Sequence, residues 1–138
     1  MSRVGDSEPE VRAEKRENGI PSEAEEQEAL FEWAAWMQGT YPELALMFHI
    51  PNGGSRNKAE AARFKAQGVK PGVPDILLPA PRGRFHGLFI ELKRLRDGKI
   101  SNDQKLFLTA LGGQGYKCLV CFGAEEAERE IVKYLEGK

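Results

Sequence analysis

The sequence has few of the residues that mark membrane, disulfide-stabilised or zinc-dependent proteins. Its 138 residues contain two cysteines, two histidines and no apolar run near the roughly 18 residues of a membrane span. Two cysteines give no disulfide framework, and neither histidine lies in an H-E-x-x-H motif, which excludes the zinc-protease class. The N-terminus is acidic and polar, without a visible signal peptide. We therefore expect a cytoplasmic protein without a membrane partner.

The few cysteines and histidines are interpreted as structural residues rather than metal ligands. Cys118 and Cys121 are three positions apart on an apolar run, and an extended strand would point them to opposite faces. There is no second cysteine pair to complete a zinc site, so we expect both to be core residues. His49 ends another apolar run and is predicted to be a satisfied core residue. His86, beside a glycine turn, has even less support as a ligand.

Charge is unevenly distributed, although the net charge is only −1. Residues 1–32 contain ten acidic and four basic residues, whereas residues 52–105 contain twelve basic and five acidic residues. Such a basic segment is typical of a chain that binds a polyanion. The first twenty residues lack aromatic side chains and periodicity, which predicts a disordered tail over 1–20 and one domain over 21–138.

Two short apolar runs within the basic segment are predicted to form a β-hairpin. Residues 72–78 and 87–93 flank a polar stretch that contains proline and glycine. Alternate side chains of a strand face opposite sides, so Glu91 and Lys93 share one face about 7 Å apart along the strand. Asp75 opens the neighbouring strand and is expected to reach the same face.

Two carboxylates and a lysine at one edge of a sheet suit metal-dependent hydrolysis of a phosphodiester. Mg²⁺ prefers oxygen ligands and commonly takes one or two carboxylates together with substrate phosphate. A metal there would polarise a phosphate oxygen and lower the pKa of water, and Lys93 would stabilise charge on the phosphoryl group. The alternative is that Asp75 is a turn residue and that Glu91 and Lys93 form a solvated pair.

A longer string of residues resembles a known family of nucleases. The spacing of Pro74-Asp75 and Glu91-Leu92-Lys93 resembles the PD-(D/E)xK nuclease superfamily. The chain also contains Pro51-Asn52-Gly53-Gly54, Arg56, Gly68-Val69-Lys70-Pro71-Gly72-Val73-Pro74-Asp75 and Ser101-x-x-Gln104. The full string, from about Ser22 to Leu135, is similar to the VRR-NUC domain, in particular its small standalone members in phages and bacteria.

The resemblance implies a divalent metal, Mg²⁺ or Mn²⁺, held by Asp75, Glu91 and the backbone carbonyl of Leu92. It further implies that Lys93 positions the attacking water. Gln104 would orient Lys93 or the scissile phosphate, although Ser101-x-x-Gln104 also fits a helix capping box without any catalytic role.

A glutamate of the first helix and several basic positions complete the expected site. The family pattern places Glu23 beside the metal, with Glu26 as second choice; the alternative is an acid that favours a helix N-terminus. The expected DNA contacts, the first two from the resemblance and the others from the basic segment, are Asn52, Arg56, Lys70, Arg94, Arg96 and Lys99.

The order of elements predicts an α/β fold with a restriction-endonuclease-like core, a four-stranded mixed sheet flanked by helices. A helix begins at a Ser22 capping box and ends near Met37. Strands are expected over 44–50, in the two hairpin arms and over 116–122. Further helices are expected near 56–67, with Ala59, Ala62 and Ala66 inward, from Ser101, and over 124–136. A right-handed crossover makes the last strand parallel to the strand of Glu91.

These observations predict a metal-dependent endodeoxyribonuclease of a bacterial or phage-infected cell. For standalone members, the resemblance implies a homodimer that resolves four-way (Holliday) junctions. The alternatives are a flap or nicking endonuclease of the same family, a non-catalytic nucleic-acid-binding module, and a protein-interaction domain. A pure binder would gain nothing from Asp75 and Glu91 in its most basic region, since each carboxylate repels phosphate.

Overall fold

The computed structural model describes residues 19–51 and 57–138, and within them the chain forms one four-stranded sheet flanked by helices. The helices are α1 (Glu23–Met37), α2 (Lys58–Ala66), α3 (Asn102–Gly113) and α4 (Ala124–Leu135), with a 3₁₀ helix over Pro42–Leu46. The strands are β1 (Phe48–His49), β2 (Ile76–Leu78), β3 (Leu88–Lys93) and β4 (Lys117–Phe122). The predicted α/β fold class is therefore confirmed.

The sheet is mixed and its strands follow the chain order β1-β2-β3-β4. β1 pairs antiparallel with β2, and β2 pairs antiparallel with β3 as the predicted hairpin. β4 pairs parallel with β3, because α3 carries the chain back across the sheet before β4 begins. This topology places β3 between β2 and β4, where both of its edges are hydrogen-bonded.

The apolar core lies between one face of the sheet and the helices α1 and α4. Ile76, Ile90 and Leu92 of the sheet are at most 2% exposed, as are Leu30 of α1 and Ile131 of α4. The three sheet residues share this face because alternate side chains of a strand point to opposite sides. The opposite face of β3 carries Phe89, Glu91 and Lys93, and this face is the one that α3 approaches.

Both predicted capping boxes are present and fix where two of the helices begin. The Ser22 hydroxyl accepts from the Glu25 amide at 3.1 Å, and the Glu25 carboxylate accepts from the Ser22 amide at 2.9 Å. Ser101 and Gln104 repeat the arrangement at 3.1 and 2.8 Å. Each box satisfies amides that the first helical turn otherwise leaves unpaired.

Three expectations from the sequence differ from the structure. The predicted strand over 44–50 is a 3₁₀ helix followed by only two strand residues, because Pro42 begins a helical turn with its fixed φ. None of the residues of α2 is buried, so the alanines predicted to face inward are exposed; an alanine face offers little apolar area to bury. His49, predicted to be a core residue, is exposed on an edge strand.

The remaining structural predictions concern the cysteines and membrane spans. Cys118 and Cys121 are both free thiols; Cys121 is buried and Cys118 is half-buried. No helix in the described part of the chain is long and apolar enough to cross a membrane. The predicted tail over 1–20 lies outside the described residues except for its last two positions.

Candidate active site

The pairing of β2 with β3 brings the two predicted carboxylates together. Ile76 is the register partner of Ile90, so continuing the antiparallel register by one position sets Asp75 opposite Glu91. Opposed side chains of an antiparallel pair lie on the same face of the sheet. The Asp75 carboxylate also accepts a hydrogen bond from the Leu92 amide at 2.8 Å. Asp75 is therefore held against β3 by its own side chain.

The backbone around Asp75 is fixed from two further directions. Its carbonyl oxygen accepts a hydrogen bond from the Ile50 amide at 2.7 Å. Nδ1 of His49 lies 2.9 Å from the same oxygen, and a carbonyl only accepts, so Nδ1 carries the proton. Gly72 has a φ of +89°, and a Cβ there would lie 2.5 Å from the Asp103 backbone, so glycine permits the lead-in to pass directly under α3.

Glu91 is a buried carboxylate with unequal oxygens. The residue is 1% exposed, and its Oε2 accepts from Gln104 Nε2 at 2.8 Å and lies 3.5 Å from Lys93 Nζ. Its Oε1 is buried and has no hydrogen-bond partner among the described residues. Burial, and after it repulsion from Asp75, raise the pKa of Glu91 from 4.5 to about 8, although Lys93 offsets part of the rise.

Lys93 ends β3 with its ammonium turned toward Glu91. The residue is 7% exposed, because the loop after β3 folds back over it. A Cβ at Gly98 would lie 2.9 Å from the Lys93 Cβ and 3.0 Å from the Arg94 carbonyl oxygen, so this close return requires glycine. The Lys93 carbonyl in turn accepts from the Gly123 amide at 2.8 Å. Lys93 thus projects from an anchored strand end into a site with little solvent exposure.

Gln104 has a structural role and a contact in the site at the same time. Its side-chain oxygen accepts from the Ser101 amide in the capping box, which turns its Nε2 toward Glu91. The amide orientation is therefore determined by the two contacts together. The capping box predicted for Ser101-x-x-Gln104 is therefore confirmed, while the role of Gln104 toward Lys93 or the scissile phosphate stays a prediction.

The donor set fits a hard divalent cation. Asp75 and Glu91 supply carboxylate oxygens on one face, and the buried Glu91 Oε1 has no hydrogen-bond partner among the described residues. Mg²⁺ commonly takes two carboxylates and completes its shell with water and substrate phosphate. Among residues 19–51 and 57–138, however, no three His, Cys, Asp or Glu side chains cluster closely enough to hold a metal. Glu23 is exposed in the first turn of α1.

The second-choice glutamate and the predicted DNA-contacting residues lie in different surroundings. Glu26 is buried, and its Oε1 accepts from the Ala124 amide at 2.9 Å, which caps α4. Lys70, Arg96 and Lys99 are exposed, so their side chains are accessible to a ligand. The Arg94 side chain is half-buried, and its Nε has no hydrogen-bond partner in the described chain. Asn52 and Arg56 lie outside the described residues.

The contribution of His49 to the site could not be found in the sequence. The contact between its ring and the Asp75 carbonyl depends on the pairing of β1 with β2, between segments 26 positions apart. The sequence offered one signal only, a histidine at the end of an apolar run. That signal equally fits a buried residue, which is how it was interpreted.

A mixed four-stranded α/β sheet with an aspartate, a glutamate and a lysine on one face of its hairpin defines a protein of the restriction-endonuclease-like, nuclease-type class. A sequence model of the VRR-NUC domain matches residues 20–125. The chain belongs to the VRR-NUC family, whose members are nuclease-type hydrolases that act on nucleic acid. Nucleases of the PD-(D/E)xK type, to which the family is related, generally use divalent metals.

A solved structure agrees with this assignment. The chain is similar to a VRR_NUC domain protein with a TM-score of 0.73 and 29% sequence identity, and the match covers 84% of this chain and 89% of the other. A comparison with curated protein sequences finds no significant match.

Proposed function

We propose that this protein is a Mg²⁺- or Mn²⁺-dependent endonuclease that hydrolyses phosphodiester bonds of branched DNA. The observation that carries the proposal is the buried Glu91 carboxylate, which faces Asp75 and leaves one oxygen without a partner. Glu25 also has a buried oxygen without a hydrogen-bond partner among the described residues, but it caps a helix, whereas Glu91 faces a second carboxylate and lies beside a lysine. An open acceptor inside a water-poor, lysine-containing site is better explained by a cation that binds there.

The metal would be held by Asp75, Glu91 and the backbone carbonyl of Leu92. When bound, it supplies polarisation of a phosphate oxygen and activation of water at neutral pH. The chain's own contribution is positional. The Leu92 amide fixes the rotamer of Asp75, and Gln104 fixes the rotamer of Glu91, so both carboxylates are preorganised before substrate arrives.

Lys93 would act on the phosphoryl group and the attacking water. Its ammonium lies beside Glu91 in a site where little bulk water competes, so its charge acts through a lower effective dielectric than at the surface. Glu23 is proposed to support the metal through a water molecule. The exposed bases Lys70, Arg96 and Lys99 are proposed to contact phosphates, with Asn52, Arg56 and Arg94.

The proposed substrate is a four-way junction and the proposed active species is a homodimer. Support comes from the similarity to small standalone family members and from the exposed apolar side chains of Trp36, Leu46 and Phe48, which a second subunit could cover. Two sites related by a two-fold axis would face the two opposed strands of one junction. Light scattering of the pure protein, alone and with junction DNA, tests the stoichiometry.

The test of function is a cleavage panel with matched variants. Four-way junction, flap, nicked and linear duplex DNA of shared sequence are incubated with the protein and Mg²⁺ or Mn²⁺, or with a chelator. We expect paired nicks in the junction, lost with the chelator and in Asp75→Asn and Lys93→Met. Lys133→Met, which removes an exposed lysine of α4, is the control and should cleave normally.

The outcomes separate the alternatives. Cleavage of the flap or nicked substrate in place of the junction would replace junction resolution with the corresponding family activity. Salt-dependent binding without cleavage of any substrate would favour the non-catalytic module. Full activity of Asp75→Asn or Lys93→Met would refute the catalytic assignment.

A further inference from the structure

An aromatic ring stands next to Lys93 on the candidate active-site face. Phe122 is the last residue of β4, and the parallel register pairs it with Lys93. Side chains at paired positions of neighbouring parallel strands project from the same face. Neighbouring strands lie about 4.8 Å apart, so Phe122 occupies the position directly beside Lys93, at the open edge of the sheet.

Phe122 differs from the other aromatic residue of this face in its exposure. Phe89 is 9% exposed and packs edge-on against Tyr116 at a centroid distance of 5.1 Å. Phe122 is 38% exposed, although its neighbour Lys93 is 7% exposed. A phenylalanine exposed at the rim of a buried polar site cannot be explained by the core, which lies on the other face of the sheet.

The backbone that carries this ring is held in place. The Phe122 amide donates to Glu126 Oε1 at 2.6 Å, and the next amide, that of Gly123, donates to the Lys93 carbonyl at 2.8 Å. The ring is thus mounted on an anchored strand end, and its position relative to Lys93 is fixed by β-sheet geometry. Preorganised apolar surface of this kind costs little entropy when a flat ligand covers it.

A nucleobase is the flat ligand expected here, because the neighbouring site is proposed to bind DNA. Phosphate contacts made by lysine and arginine position a nucleic acid but do not contact its bases. Aromatic side chains stack on bases of any sequence, and only an unpaired or splayed base presents a free face. A ring beside the proposed scissile-phosphate position would therefore distinguish branched DNA from continuous duplex.

We propose that Phe122 stacks on a nucleobase that is unpaired or splayed at a branch point next to the scissile phosphate and so determines the preference for branched DNA. The proposal rests on the proposed nuclease function and names the residue that selects its substrate. The competing role is that Phe122 only covers the stem of Lys93. Leucine keeps that apolar cover without a π face, and tryptophan enlarges the π face, so Phe122→Leu and Phe122→Trp separate the two roles.

Binding is measured apart from cleavage. The full chain carrying Asp75→Asn is titrated with two DNAs that share one sequence. One is a three-way branch with an unpaired 2-aminopurine at the branch point, and the other is a linear duplex in which the 2-aminopurine is paired. We expect quenching of the unpaired 2-aminopurine, an increase in Kd of about tenfold in Phe122→Leu for the branched DNA alone, and retention in Phe122→Trp. Leu106→Ala, which trims another exposed apolar side chain, is the control.

Steady-state kinetics in the background of native Asp75 complete the test. Phe122→Leu should raise KM for branched DNA about tenfold and leave kcat within about twofold. The proposal would be overturned if Phe122→Leu bound branched DNA as well as the parent does, or if it lost equal affinity for both DNAs. A fall in kcat alone, or no binding of branched DNA by the parent, would also overturn it. A chain that binds and quenches but never cleaves refutes the nuclease function while retaining Phe122 as a stacking residue.

Discussion

The two faces of β3 are both buried, but only one of them carries charged groups. Toward α1 and α4 the strand presents Leu88, Ile90 and Leu92, each at most 2% exposed; toward α3 it presents Glu91 and Lys93 at 1% and 7%. Apolar burial on the first face stabilises the fold. Burial of charged groups on the second face is costly unless a partner compensates. One strand therefore separates stability from chemistry by the two-residue period of its side chains.

The largest expected effect comes from a substitution on the face of β3 that carries Glu91 and Lys93. Lys93→Met keeps the length of the stem and removes the ammonium, so we expect kcat on the cleaved substrate to fall by about 10²- to 10³-fold. Circular dichroism should remain that of the native protein. If the variant unfolds, or cleaves at the native rate, then the face that carries Lys93 does not serve catalysis independently of stability.

Breaking the apolar face should produce the reverse result. Ile90→Ala removes a fully buried side chain and should lower the free energy of unfolding by about 2–5 kcal/mol, measured by urea denaturation. Below the transition, the folded fraction should retain kcat. The surface change Leu106→Ala is the control and should alter stability by about 0.5 kcal/mol or less. Loss of kcat without loss of stability would contradict the prediction.

The pH dependence of stability sharpens the comparison, because only the face that carries Glu91 and Lys93 has a titrating group. Glu91 has its pKa raised from 4.5 to about 8, so the folded protein keeps a proton that the unfolded chain has lost between these values. Stability relative to Glu91→Gln should therefore fall as pH rises from about 5 to 8, by as much as a few kcal/mol, and level off above.

Thermal melts of both proteins in chelator, at half-unit pH intervals, measure this difference. Addition of Mg²⁺ should restore the stability lost relative to Glu91→Gln, most strongly near pH 8, since the cation binds the ionised carboxylate. A flat difference between the two proteins would mean that Glu91 is ionised throughout, and no Mg²⁺ effect would count against the metal site.

The smallest expected effect concerns Gln104, which both caps α3 and contacts Glu91. Ser101→Ala and Gln104→Ala each break the same capping box and should cost about 1 kcal/mol of unfolding free energy. Only Gln104→Ala also removes the hydrogen bond to Glu91, so it alone should lower kcat/KM, by about tenfold. Equal kinetics for the two variants would reduce Gln104 to a capping residue.

The sequence and the structure agree most closely where local patterns decide the outcome. The hairpin of β2 and β3 and the two capping boxes follow from alternation and Ser-x-x-Glu/Gln spacing, which act over a few residues. The parallel return of β4 follows from the crossover rule, which needs only the order of the elements. The segment over 44–50 was predicted wrongly because an apolar run does not distinguish a strand from a short helical turn.

Sequence alone determined that Glu91 and Lys93 share one face, because the period of a strand leaves no other arrangement, and it predicted that Asp75 reaches the same face. Tertiary structure decided the rest. The partnerless Glu91 oxygen and the His49 contact to Asp75 arise between segments distant along the chain. The exposure of Phe122 beside Lys93 was decided in the same way, at the open edge of β4. Burial and hydrogen bonding depend on what packs from elsewhere, and no local pattern records that.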